Sequence, residues 1–76
     1  MNAGRRASLE DIRSRIESAK CDLEALKDEE QEYHDNMPEP LQSSEKGERA
    51  EEVVSQLEEA ASALDEAISN IEYAME

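Results

Sequence analysis

A chain of 76 residues makes one small domain, and its 21 acidic against eight basic residues leave a net charge of −13. That balance argues against gripping nucleic acid by its phosphates, which takes clustered Lys and Arg, and against docking on anionic membranes. A charged partner should therefore be basic. Two tyrosines without Phe or Trp restrict the core to thin aliphatic packing, so a chain this short needs very regular helix packing or self-association.

The one cysteine, Cys21, has no intrachain disulfide partner, which fits a reducing cytoplasm. No apolar run is long enough for a signal peptide or a membrane span. The expected location is the cytoplasm.

In chain order, residues 1–7 carry Gly4, Arg5 and Arg6 without periodicity and read as a mobile basic arm. Ser8 is a good N-cap, with Asp11 completing a variant capping box. A first helix follows over about 9–35, stopped where Pro38 disfavours a helical Met37. Residues 36–44 form the hinge. A second helix runs over about 45–75, capped by Ser43 or Ser44, with Glu45 and Glu48 favourable at its positive end. Gly47 costs about 1 kcal/mol of helix propensity relative to Ala. It either leaves room for the ring of Tyr33 opposite or marks a frayed first turn.

The two halves mirror each other. Leu26 pairs with Val54, Leu23 with Leu57, Ala19 with Ala61, Ile16 with Leu64, Ile12 with Ile68 and Leu9 with Ile71, and each pair of positions adds to 80. Both halves step by three and four, the a/d spacing of packed helices. The expected fold is all-α, an antiparallel two-helix coiled-coil hairpin. With Leu9 and Val54 as a positions, Arg13, Lys20, Lys27 and His34 fill the e row of the first helix, and Glu51, Glu58, Asp65 and Glu72 that of the second. Antiparallel helices bring e beside e. Lys27 should thus meet Glu51 or Glu58, Lys20 Glu58 or Asp65, and Arg13 Asp65 or Glu72. Each exposed pair adds less than about 1 kcal/mol, but together they fix orientation. The g row of the second helix is Val53, Ala60, Ala67 and Ala74, an apolar flank that one partner helix cannot cover. A homo-oligomer built on these four residues, such as a four-helix bundle, is expected.

Catalytic and metal chemistry find little support. His34 stands without a second imidazole or ligand-bearing spacing, and suits a helix end beside acidic neighbours. Cys21 falls in the solvent-facing f row with no base spaced to activate it. Asp28–Glu30 and Glu58–Glu59 lack both a calcium-loop pattern and a pocket to split their pKa values. No enzyme activity and no cofactor are expected. Two binding features remain. One is the hinge, where Met37 and Leu41 either cap the core or present an apolar tip. The other is Glu52, Glu59 and Glu66, an f row beside the acidic e row that reads as a solvated face or as a mimic of nucleic-acid phosphates.

The segment from Asp28 through Tyr33-His34-Asp35-Asn36-Met37-Pro38-Glu39-Pro40-Leu41-Gln42, continuing over Ser44–Glu48, resembles small acidic helical-hairpin proteins encoded by bacteriophages and prophages. The resemblance spans Leu9 to Met75, with Pro40 standing where relatives would carry a polar residue. It implies no catalytic residue. It points to phage roles such as anti-CRISPR-like inhibition of host defence, in which this chain would block a basic, nucleic-acid-handling surface of a bacterial host protein. The alternatives are an oligomer sequestering a small signalling nucleotide through Arg5, Arg6, Arg13, Arg15 and Arg49, or an assembly protein of a virion.

Overall fold

In the computed structural model, which describes residues 1–76, nearly the whole chain is helical. Helix α1 spans Ala3–Asp35, α2 is a single turn at Glu39–Gln42, and α3 spans Glu45–Met75. Folding α3 back along α1 gives a rod of 58 × 14 × 12 Å. Its radius of gyration is 17.2 Å; a compact chain of this length would give about 11 Å.

Helix α1 begins well before the expected start. Asn2, in extended conformation, caps it by accepting the Arg5 N–H on Oδ1 at 2.7 Å. Ser8 thus lies inside the helix, and residues 3–7 are its first turns rather than a mobile arm. Asn is among the strongest caps, and Ala3, Arg5, Arg6 and Ala7 are all good helix formers, enough to carry Gly4. The added turns also find a partner, because Arg6 Nε donates to the Met75 carbonyl at 3.1 Å and ties the start of α1 to the end of α3.

The hinge reverses the chain with every residue at negative φ. Asn36 ends α1, its N–H donating to the Glu32 carbonyl at 2.9 Å, and the next N–H, that of Met37, donates to the His34 carbonyl at 3.1 Å. Pro38 takes extended geometry ahead of α2, where Pro40 occupies the first turn and its missing N–H costs nothing. The Gln42 side-chain amide then reaches back, donating towards the carbonyls of Met37 at 3.1 Å, His34 at 3.3 Å and Asp35 at 3.4 Å. The carbonyls of His34 and Asp35 belong to the last turn of α1, which lacks intrahelical partners, and that of Met37 to the hinge just beyond it. Ser44 occupies the N-cap position of α3, but its hydroxyl donates to the Leu41 carbonyl instead of accepting from the helix.

Gly47 has a sharper cause than either sequence argument supplied. It is buried, and a Cβ built on it would sit 2.1 Å from the Gln42 carbonyl oxygen. The glycine makes room for hinge backbone, not for the Tyr33 ring, and its turn is not frayed.

Between the long helices, the α3 side of the seam follows the expected pattern. Val54 and Ile68 are buried, and Leu57, Ala61, Leu64 and Ile71 are half-buried. On α1 the seam is turned. The a residues Leu9, Ile16 and Leu23 are half-buried as expected, but their companions are the e residues Arg13, Lys20, Lys27 and His34. The d residues Ile12, Ala19 and Leu26 are exposed, Leu26 at 53%. On a helical wheel e lies closer to a than d does. Long basic side chains can therefore lay their methylene stems over the seam while the charged heads stay at its edge. The register nonetheless matches the expected hairpin. Lys20 Nζ meets Asp65 Oδ1 at 2.8 Å and His34 Nε2 lies 3.1 Å from Glu51 Oε1, two contacts with the same offset along the rod. Lys27 instead turns to Asp28, its own neighbour, and the half-buried Arg13 has an Nε with no acceptor.

The hinge contact is directly testable. Gly→Ala inside a helix ordinarily stabilises by up to about 1 kcal/mol; here Gly47→Ala should destabilise by about 1–3 kcal/mol through forced overpacking. Chemical denaturation of the two proteins checks the sign.

Candidate functional site

A two-helix rod encloses no cavity, so any function has to reside on its sides and ends. Two open grooves flank the seam. One, of about 770 Å³, lies by the hinge and is lined by Glu30, Tyr33, Glu45, Lys46, Glu48, Arg49, Ala50 and Glu52. The other, about 330 Å³, runs along the e rows between Lys20, Glu24 and Lys27 on α1 and Leu57, Glu58, Ala61, Ser62 and Asp65 on α3. Neither gathers the features of a catalytic centre. No group of three or more His, Cys, Asp or Glu side chains is placed to hold a metal ion, and Cys21 is exposed. No helix is long and apolar enough to cross a membrane.

The acidic residues of α3 are sorted by face. All nine, Glu45, Glu48, Glu51, Glu52, Glu58, Glu59, Asp65, Glu66 and Glu72, occupy the e, b and f rows and are exposed. Glu52, Glu59 and Glu66 stand one heptad apart on this side, where Arg49 Nη1 reaches Glu52 at 3.3 Å across an exposed turn. Ser55, Ser62 and Ser69 fill the rest of the b row. The result is a carboxylate-lined strip along α3, interrupted by small hydroxyl side chains and ended by the exposed Tyr73 on the f row. The c and g rows, Arg49, Gln56, Ala63 and Asn70 with Lys46, Val53, Ala60, Ala67 and Ala74, contain no carboxylate. Within them, Val53, Ala60 and Ala67 are half-buried beside α1, while Ala74 is exposed.

The two hinge candidates part company. Met37 is only 9% exposed and closes the end of the core, so it offers no surface to a partner. Leu41, on α2, is 47% exposed. The apolar tip is therefore one leucine wide. His34, its side chain 12% exposed, lies between Asp35, 3.5 Å from Nδ1, and Glu51. Both contacts are at ion-pair distance without hydrogen-bond geometry. The imidazole thus serves the joint between the helices, close to the helix-end role its position suggested. The arginines are dispersed: Arg5 and Arg6 lie at the open end, Arg13 and Arg15 further along α1, and Arg49 beside the hinge. One hairpin does not bring them together.

Lys20 is the pivot of the e-row groove. Its ammonium contacts Asp65 at 2.8 Å and Glu24 at 3.3 Å. The hydrogen bond to Asp65, then that to Glu24, raise its pKa above the ordinary 10.5 against a smaller opposing effect of desolvation. A raised basic pKa stabilises the fold fully below the unfolded value and is lost as pH climbs through the folded one. The melting-temperature difference between the native chain and Lys20→Met should therefore hold steady from neutral pH towards 10.5 and shrink above it.

With the geometry of both sides in view, the chain was compared with known proteins: no family model, no curated protein and no solved structure matches it.

Proposed function

We propose that the protein is a non-enzymatic acidic interaction protein whose α3 carboxylate strip occupies a basic, nucleic-acid-handling surface of another protein. The observation that carries this reading is the sorting of all nine α3 carboxylates onto the e, b and f rows, outside the seam and exposed. Hairpin folding needs no such density, and like charges at this spacing repel one another along the helix. A straight row with small serines between the carboxylates suits a groove shaped for a phosphate backbone, where long-range attraction speeds encounter. The resemblance of the hinge segment to phage-encoded hairpins gives the reading its biological setting, an anti-CRISPR-like inhibitor acting on a host defence protein in the bacterial cytoplasm.

Removing the three f-row charges tests the reading. Glu52, Glu59 and Glu66 are exposed, so changing all three to Gln should leave helix content intact and raise the melting temperature slightly by relieving repulsion. Capture of a basic host partner, measured by pull-down from bacterial lysate and then by titration, should weaken by a factor of ten or more. The native interaction should also weaken steeply with salt. Unchanged binding by the triple variant would overturn the proposal.

A further inference from the structure

The side of the rod that presents the carboxylate-free c and g rows of α3 has its own use. On α1 it is continued by the exposed d row, Ile12 at 37%, Leu26 at 53% and Tyr33 at 45%, with Ala19 between them. In an antiparallel pair the d row of one helix and the g row of the other lie on the same side. At the hinge end of this face Tyr33, Lys46, Arg49 and Ala50 line one groove together with Glu30, Glu45, Glu48 and Glu52, which joins the two helices' contributions physically and brings the edge of the acidic strip to this end. The face is apolar along the α1 d row and the α3 g row, and the exposed α1 g row, Arg15, Asp22 and Glu29, puts charges along its border.

Three observations identify what covers it. The first is area. The hairpin exposes 5518 Å², whereas the scaling for folded monomers gives about 4,700 Å² at this mass. The excess, on the order of 800 Å², matches in size what each partner contributes to a standard protein interface, while the 58 × 14 × 12 Å shape of the rod spreads it along the whole length. The second is symmetry. The α1 row Ile12, Ala19, Leu26, Tyr33 alternates so that, laid antiparallel on itself, it sets Tyr33 against the partner's Ile12 and Leu26 against the partner's Ala19. Each larger side chain of the central pair then meets a small one. The α3 row centres on Ala60, within about one helical turn of the same height along the rod. A single two-fold axis across the rod therefore serves both helices. The third is charge. The same arrangement brings Arg15, on the g row bordering this face, beside the partner's Glu29 twice, against a single like-charge contact of Asp22 with the partner's Asp22 at the axis.

We propose that two copies of this chain dock antiparallel through the side that carries the α1 d row and the α3 g row, α1 on α1 and α3 on α3, forming a four-helix bundle with the e and b rows of α3 outward. The proposal does not rest on the acidic strip binding a basic partner. It moves the centre of the interface from the α3 alanines alone to a face in which Ile12, Leu26 and Tyr33 are the large contacts.

Sedimentation velocity over a concentration series should show the native chain as a dimer at micromolar concentration. Ile12→Asp with Leu26→Asp should give monomers; both side chains are exposed in the hairpin, so circular dichroism should show helix retained. Arg15→Glu should weaken the dimer at least several-fold, and adding Glu29→Arg should restore it. In a Cys21→Ser background, Ala60→Cys should form a disulfide-linked dimer under mild oxidation at least ten times faster than Ser62→Cys, which lies on the acidic side. Raising salt should leave the dimer intact or tighten it, while it weakens binding of a basic partner, so the two proposals fail separately. A native chain that stays monomeric, a dimer untouched by the paired Asp substitutions, or equal crosslinking by both cysteines would each overturn the inference.

Discussion

The reversal of the chain depends on one backbone contact: the hinge carbonyl of Gln42 pressed against the first turn of α3 at Gly47. Any side chain there would push α3 away from the hinge by more than a bond length's worth of overlap. Because the contact is tight, the Gln42 side chain can turn back and cover the open carbonyls at the end of α1. One residue thus satisfies the end of one helix with its side chain and seats the next with its main chain. Met37, buried beneath this turn, supplies the apolar floor. The rest of the rod inherits its register from that seat, as the matching offsets of Lys20–Asp65 and His34–Glu51 show.

From the hinge outward the core is thin. Only Met37, Ala50, Val54 and Ile68 are buried apolar residues, and no large side chain is fully enclosed. Two helices share a single line of contact, so every residue on it keeps an edge in water. Under that constraint a long basic side chain competes well with an aliphatic one, because its methylenes cover the seam and its head is solvated. This accounts for α1 presenting Arg13, Lys20 and Lys27 to α3 while Ile12 and Leu26 face out. The unpartnered Arg13 Nε fits coverage rather than ion pairing for that side chain, whereas Lys20 combines both.

The same economy gives the rod two unlike sides. Carboxylates crowd the e, b and f rows of α3, and apolar or neutral residues occupy its c and g rows. Like charges favour spreading apart; their confinement to one side therefore leaves the other able to approach a neighbour at little electrostatic cost.

The sequence by itself determined the helical class, the hairpin and its register, because apolar steps of three and four and mirrored charge rows act locally along each helix. It also placed Glu52, Glu59 and Glu66 on one exposed row and Cys21 in solvent, since a helix's periodicity sets which residues share a face. The start of α1 was hidden because Asn2 and Ser8 are both good caps, and the contact between Arg6 and the end of α3 exists only in the folded chain. The role of Gly47 was hidden for a similar reason, as its neighbour is the hinge backbone five residues earlier, brought close by a turn without a periodic signature. Only the tertiary structure decided which side of α1 faces α3, separating Met37 from Leu41 and leaving Ile12, Leu26 and Tyr33 uncovered. A heptad pattern names an apolar stripe, but the rotation of that stripe about its axis is settled by whichever side chains best cover the opposite helix.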